Sequence, residues 1–174
     1  MVYRLCAAAG LPLPPEAAAN LYAAILTDTG SFRYSNTTAE ALRASAELVA
    51  AGAAPEQIAR SLFAHRDRRE LELLRLALAE LRLSPDGRLG WITVSRAAQQ
   101  AAGIGLEAAE DFVQYPRALE GVQVALAFKE VAAGEVKVSF RSHGATDVSG
   151  LARRFGGGGH VHAAGCTLQM ELAA

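Results

Sequence analysis

A chain of 174 residues can hold one domain of ordinary size or two small ones. Its 51% hydrophobic and 20% charged residues are those of a folded protein rather than a disordered one. A formal net charge of -1 excludes the broad basic field of a protein that grips long nucleic acid non-specifically, while leaving room for a short nucleotide in a local pocket.

The first helix announced by the sequence runs from Pro15 to Leu26, where alanines and leucines follow a Pro-Glu first turn, and it runs out at Thr27-Asp28-Thr29-Gly30. A second is expected between a capping box of Thr37 and Glu40 and a stop at Gly52. Ala54-Pro55-Glu56 opens a third that reaches about Phe63. From His65 to Leu83 the pattern predicts a long amphipathic helix with Leu71, Leu74, Leu78 and Leu81 on one stripe.

The turn Ser84-Pro-Asp-Gly87 ends this helical part. Beyond it, strands are predicted over Leu89 to Val94, Val122 to Phe128, Val136 to Phe140 and Cys166 to Met170. Ala132 to Glu135 makes a hairpin connection, and short helices are predicted over Ala97 to Ala102, Leu106 to Phe112 and Val148 to Phe155, the last capped by Asp147. The fold class is therefore α/β: a helical part joined by a long helix to a small mixed-sheet domain. The helical part, small and without strands, reads like the tail of something larger.

The run Gly156-Gly157-Gly158-Gly159-His160 is costly in backbone entropy unless the chain must go where no side chain fits. Flanked by Phe155 and by Ala163-Ala164 rather than by polar residues, it reads as a ligand loop in preference to a linker. Its amides could converge on a phosphate, helped by a helix dipole if Ala163-Ala164 opens a helix. Ser139 and Arg141 share one face of the preceding strand, where Arg141 is either a bidentate phosphate ligand or a solvated charge at a strand end. Arg117, after Tyr115-Pro116, is a weaker candidate of the same kind. His160 is assigned to hydrogen bonding with phosphate and His162 to packing.

Asp28 projects from a helix end between two threonines, either as a metal ligand or base or as an ordinary Asx turn. One carboxylate cannot hold a catalytic ion pair, and residues 1–27 contain no other Asp and no His. Cys6 and Cys166 show no C-x-x-C spacing and are expected to be reduced core thiols. No apolar run approaches bilayer length, and Met1 to Ala7 lacks the features of a signal peptide, so a cytoplasmic protein without a membrane partner is expected.

Leu21 to Asn36, including Thr27-Asp28-Thr29-Gly30, closely resembles the last metal-binding motif of the DHH phosphoesterases. Gly156 to His160 with Ala163-Ala164-Gly165, together with Val136 to Ser142 and Asp147-Val148-Ser149, resembles their DHH-associated C-terminal domain. Order and spacing are most similar to the bifunctional oligoribonucleases (nanoRNases) that also remove the 3′-phosphate from pAp.

The resemblance implies a division into the C-terminal part of a DHH catalytic domain (1–64), a linker helix (65–83) and a DHH-associated substrate-binding domain (84–174). It implies that Asp28 is a metal-binding aspartate for Mn²⁺ or Mg²⁺. The residues implied to contact substrate phosphate, on short RNA or pAp, are Arg117, Ser139, Arg141, Gly156, Gly157, Gly158, Gly159 and His160. The D-x-D-type motif and Asp-His-His triplet of complete members are absent from this sequence. The chain alone is therefore expected to bind without turnover and not to hold the metal pair, and a homodimer through the missing or helical part is compatible with the resemblance. A RecJ-like exonuclease or cyclic-dinucleotide phosphodiesterase would share the same fold and metals. A non-catalytic nucleotide-binding module is the alternative from another class.

Overall fold

The computed structural model describes residues 2–34, 36–64 and 66–172. The chain divides into two compact units, Met1–Arg66 and Asp67–Ala174.

The first unit is helical: α1 (Val2–Ala8), α2 (Pro15–Asp28), α3 (Ala39–Ala50) and α4 (Pro55–Phe63). The sequence reading had no place for α1, which is seven residues long with no acidic first turn to announce it. Apolar residues of α2 at helical spacing, Ala18, Tyr22 and Leu26, bury against Leu48 of α3 and Ala53. Arg4 pairs with Glu40 across α1 and α3. The expected capping box is displaced by one residue: Thr38, not Thr37, caps α3 by accepting from the Ala41 N–H. The residue three beyond the cap is then Ala41, whose methyl group cannot complete a box.

The second unit starts with α5 (Arg68–Ala79), capped by Asp67. His65 lies outside the described residues, and the long helix expected through Leu83 ends at Ala79, with Arg82–Leu83 forming the short strand β1. The buried side of α5 is Leu73 and Ala77, with Leu74 and Leu81 partly covered, whereas Leu71 and Leu78 are exposed. Of residues 65–83, read as a linker, those from Asp67 on belong to the second unit, and Leu73 and Ala77 to its core.

The remaining elements are β2 (Leu89–Val94), α6 (Arg96–Ala102), a 3₁₀ turn at Leu106–Ala109, α7 (Gln114–Arg117), β3 (Val124–Ala132) and β4 (Glu135–Ser142). They are followed by α8 (Val148–Arg154), β5 (Gly158–His160) and β6 (Ala163–Gln169). Six strands form one mixed sheet in the order β1-β2-β3-β4-β6-β5, with β2 and β3 parallel and the other pairs antiparallel. The strand expected to start at Val122 starts at Val124, because Val122 still bonds back to Leu119 in the preceding turn.

Two cores lie against this sheet. Ile92, Val94, Ala125 and Ala127 pack with α5, Ala102 of α6 and the segment carrying Ala109, Phe112 and Val113. Val136, Val138, Phe140, Ala164 and Cys166 pack with Val148 and Ala152 of α8. Along β4, Val136, Val138 and Phe140 alternate with Lys137, Ser139 and Arg141, so α8 covers one face of the β4-β6-β5 half. Cys166 is a buried core thiol, pushed up from its ordinary pKa by burial, whereas Cys6 is only half-buried.

Candidate functional site

The register of β3, β4, β6 and β5 builds a surface row by row, since directly opposed residues of an antiparallel pair project from the same face. Ala125, Arg141, Ala163 and His160 make one row. Ala127, Ser139, Gly165 and Gly158 make the next, and Lys129, Lys137 and Thr167 the third. In the β3 column these residues are buried, but from β4 outward they are half-buried or exposed. The result is an open polar face with cations at both ends and small side chains between them. Ser139, Arg141, Gly158 and His160, singled out from sequence, therefore share one surface.

The glycine run lies along its border in a way the sequence did not reveal. Gly156 sits at φ +73°, just past α8, where its N–H donates to the Arg153 carbonyl while the Gly157 N–H donates to that of Ala152. Two of the four glycine amides thus close the helix end and are not aimed at a ligand. The segment Ala163-Ala164 opens strand β6, not a helix, so no N-terminal dipole faces the run. The helix end that does adjoin it is the carbonyl end of α8, which repels anions. On the open face itself the side chains able to attract phosphate are Arg141, His160 and Lys137, while Arg153 and Arg154 stand in the last turn of α8.

Three of the glycines have structural reasons. Besides the left-handed Gly156, a Cβ on Gly157 would collide with the Gly165 carbonyl oxygen and stand 2.6 Å from Cys166 Cβ, and one on Gly159 would stand 2.5 Å from the Ala163 carbonyl oxygen. Gly158 is different: its φ is unremarkable and nothing lies within 4 Å of the place a Cβ would take. Beside it lies an open depression of about 420 Å³ lined by Lys137, Gly156, Gly157, Gly158, Gly165, Cys166 and Thr167.

Arg117, at the end of α7, is tied to the C-terminal end of β4. Its carbonyl accepts a hydrogen bond from His143 Nε2 at 3.2 Å, two residues beyond Arg141, while its guanidinium donates to Gln114 Oε1 at 3.1 Å. Arg141 Nη1 donates to the Phe140 carbonyl at 3.0 Å. Sequence reasoning gave His162 a packing role, yet its ring is exposed and oriented: Ser142 Oγ donates to the Thr146 carbonyl (2.7 Å), so it must accept from His162 Nδ1–H (3.0 Å). That tautomer leaves Nε2 as an acceptor.

Lys129 and Lys137 also escaped the sequence reading. Lys129 is only 3% exposed, and its ammonium is pushed down from the ordinary lysine pKa, chiefly by burial and then by Lys137, against the opposing pull of Glu110 and Asp111. The available signal was the alternation Lys137-Ser139-Arg141 on one strand face.

In the first unit, Asp28 ends α2 and is exposed. Asn36 Nδ2 donates to both Asp28 Oδ2 (3.0 Å) and the Asp28 carbonyl (3.1 Å), which fixes the carboxylate in place. Behind it the chain turns through three consecutive left-handed residues, Gly30 (φ +55°), Ser31 (φ +59°) and Phe32 (φ +61°). For a bulky residue such as Phe32 this is a strained conformation. It is held by the buried Thr29, whose hydroxyl donates to the Ile25 carbonyl and accepts the Phe32 N–H, and by edge-to-face packing of Phe32 on Tyr22. Among the described residues no group of three or more His, Cys, Asp or Glu gathers. A single oriented carboxylate does not make a divalent metal centre, so the described residues alone do not fit the metal pair.

Residues 93–173, which lie within the second unit, match the DHHA1 domain. The chain is homologous along almost its entire length to the bifunctional oligoribonuclease and PAP phosphatase NrnA of Thermus thermophilus, 36% identical over 169 residues, which covers 97% of this chain and 50% of that protein. The protein of the same name from Bacillus subtilis is 27% identical over 162 residues, with 91% of this chain and 50% of that protein covered. Among solved structures, an exopolyphosphatase-related protein from Bacteroides fragilis superposes with a TM-score of 0.89 at 27% identity, over 95% of this chain and 49% of that one. The DHH-family resemblance carried by the motifs therefore holds, and the chain spans about half the length of the curated relatives it matches. No helix among the described residues is long and apolar enough to cross a membrane.

Proposed function

We propose that this chain is the substrate-gripping part of a phosphoesterase that acts on short oligoribonucleotides and on the 3′-phosphate of pAp. The observation that carries the reading is the open face on which Arg141 and His160 stand in one row, separated from Lys137 by the small residues Ser139, Gly165 and Gly158. A guanidinium and an imidazole in one row can grasp a terminal phosphate through charge-assisted hydrogen bonds. Ser139 adds a neutral hydroxyl to the next row, and the absence of larger side chains leaves space for sugar and base to lie along the strands. These residues bind and orient; they do not include a nucleophile or a base placed for hydrolysis.

Asp28, oriented by Asn36, is the chain's contribution to metal binding in the parent enzyme, where Mn²⁺ or Mg²⁺ would polarise the phosphoester. The other ligands come from beyond the described residues. Titration with pAp and with a 5′-phosphorylated dinucleotide tests the reading. Binding is expected, and Arg141→Ala or His160→Ala should weaken it by about 10- to 100-fold, the loss of about 1.5–3 kcal/mol from a charged hydrogen bond. Affinity unchanged by both substitutions refutes the site. Hydrolysis of the dinucleotide by this chain in Mn²⁺ refutes the division of labour.

A further inference from the structure

We propose that His162 and Ser142 form a clamp that positions His160, so that His162 serves substrate binding without touching the substrate. The inference rests on the reading of His160 as a phosphate contact and adds to it the residues that hold it in place.

The need for a clamp comes from β5. It is an edge strand of three exposed residues, Gly158–His160, paired on one side only, with β6. Two of the three are glycines, which lose the most backbone freedom on being ordered, and Gly159 stands at φ +141°. The connection from β5 to β6 is the two-residue turn Val161-His162. In two-residue hairpins the favoured turns place at least one central residue at positive φ, because that geometry follows the twist of the strands. Neither Val161 nor His162 has a positive φ. A turn of the other hand splays the strands it joins, and here it would carry His160 out of the row it shares with Arg141 and Ala163.

The turn is instead held from outside. Ser142, next in the chain to Arg141, is only 1% exposed, and its N–H donates to the His162 carbonyl at 3.2 Å. Its hydroxyl gives its one proton to the Thr146 carbonyl at 2.7 Å and accepts from His162 Nδ1–H at 3.0 Å. The Val148 N–H, at the start of α8, donates to the Val161 carbonyl at 2.9 Å. Both turn residues are thus fastened, one to the end of β4 and the other to the start of α8. The strand that carries Arg141 is thereby tied to the turn that follows His160. The imidazole is the part of this clamp that a substitution can remove: without it the buried Ser142 oxygen loses the donor it accepts from, and the turn keeps only its backbone bonds.

The test is calorimetric titration of the whole 174-residue chain with a 5′-phosphorylated dinucleotide, in a cycle of His162→Ala, His160→Ala and the double variant. His162→Ala, at an exposed position, is expected to weaken binding about three- to tenfold, the order of one hydrogen bond, and His162→Asn, whose amide N–H can stand in for Nδ1–H, to restore most of it. In the His160→Ala background His162→Ala should change affinity by less than about 1.5-fold, since no imidazole remains to be positioned. Amide hydrogen exchange without ligand should quicken at Gly159 and His160 in His162→Ala and return in His162→Asn. Equal losses in both backgrounds, no loss in the native background, or unchanged exchange overturns the clamp while leaving the nucleotide face intact. Failure of the native chain to bind the dinucleotide overturns the reading of His160 as a phosphate contact and the inference with it.

Discussion

The four glycines before His160 invite an experiment because the structure gives them unequal reasons to be glycine. In Gly157→Ala the new methyl would meet the Gly165 carbonyl oxygen and Cys166 Cβ, both on β6. Strand β6 cannot simply retreat, for it is bonded to β4 on its other side, and a Cβ on Gly165 would itself stand only 3.0 Å from the Val138 carbonyl oxygen. Overpacking of this sort costs about 1–3 kcal/mol. For a unit of this size each kcal/mol lowers the melting temperature by roughly 4 °C, so Gly157→Ala should melt about 4–12 °C below the parent. Gly158→Ala meets no atom and needs no left-handed backbone, and by restricting the unfolded chain it should leave stability unchanged or raise it by up to about 1 kcal/mol. The same methyl would stand in the ligand's path and weaken nucleotide binding. Thermal melts followed by near-ultraviolet circular dichroism, paired with titration of pAp, read both effects. Equal melting losses in the two variants would refute the close-approach geometry, and full affinity in Gly158→Ala would refute the placement of ligand across this face.

Thr29→Val removes the hydroxyl that accepts the Phe32 N–H and leaves that donor without its partner in a strained turn, at a cost of about 1–3 kcal/mol that urea unfolding of the first unit should show. Asp147 is held below the usual carboxylate range by Ser149, through its hydroxyl first and its N–H next, and by the Gly150 N–H. A carboxyl depressed in the folded state stabilises above its unfolded pKa and loses that contribution as pH falls through the folded value. The stability gap between the parent and Asp147→Ala should therefore close on acidification, and a gap constant down to low pH would contradict the cap. Lys129 has the opposite sign: with its folded pKa depressed, the unfolded chain binds the extra proton between that value and the ordinary ~10.4, so stability rises with pH across this window. Lys129→Met should flatten that rise in alkaline denaturant titrations; an unaltered slope would show that the ammonium is not confined.

Much of this was legible in the sequence where local chemistry decides. The turn at Ser84 to Gly87 and the alternation after it placed β2 at its observed ends, and the shared strand face of Ser139 and Arg141 followed from a period of two. Adjacent threonines blurred the start of α3, since either hydroxyl could cap it. What stayed hidden depends on partners distant in the chain. Leu71, Leu74, Leu78 and Leu81 make a convincing stripe on paper, but packing buries Leu73 and the small Ala77, covers Leu74 and Leu81 in part and leaves Leu71 and Leu78 exposed. The glycine run announced a close approach without saying to what; the strand β6 and the carbonyls of α8 claim most of it. Lys129 lies just past the strand predicted to end at Phe128, and only the register sets it opposite Lys137.

The match to the DHHA1 domain begins at residue 93, within β2, whereas the compact unit that contains it begins at Asp67. Helix α5 accounts for the difference, because Leu73 and Ala77 close the core over Ile92, Val94 and Ala127. The domain match and the folding unit thus have different borders. A chain cut at residue 93 would keep only part of β2 and would leave the apolar face of Ala125 and Ala127 without α5. The twelve residues of α5, Arg68–Ala79, are therefore the structural floor of the second unit, although the domain match does not include them.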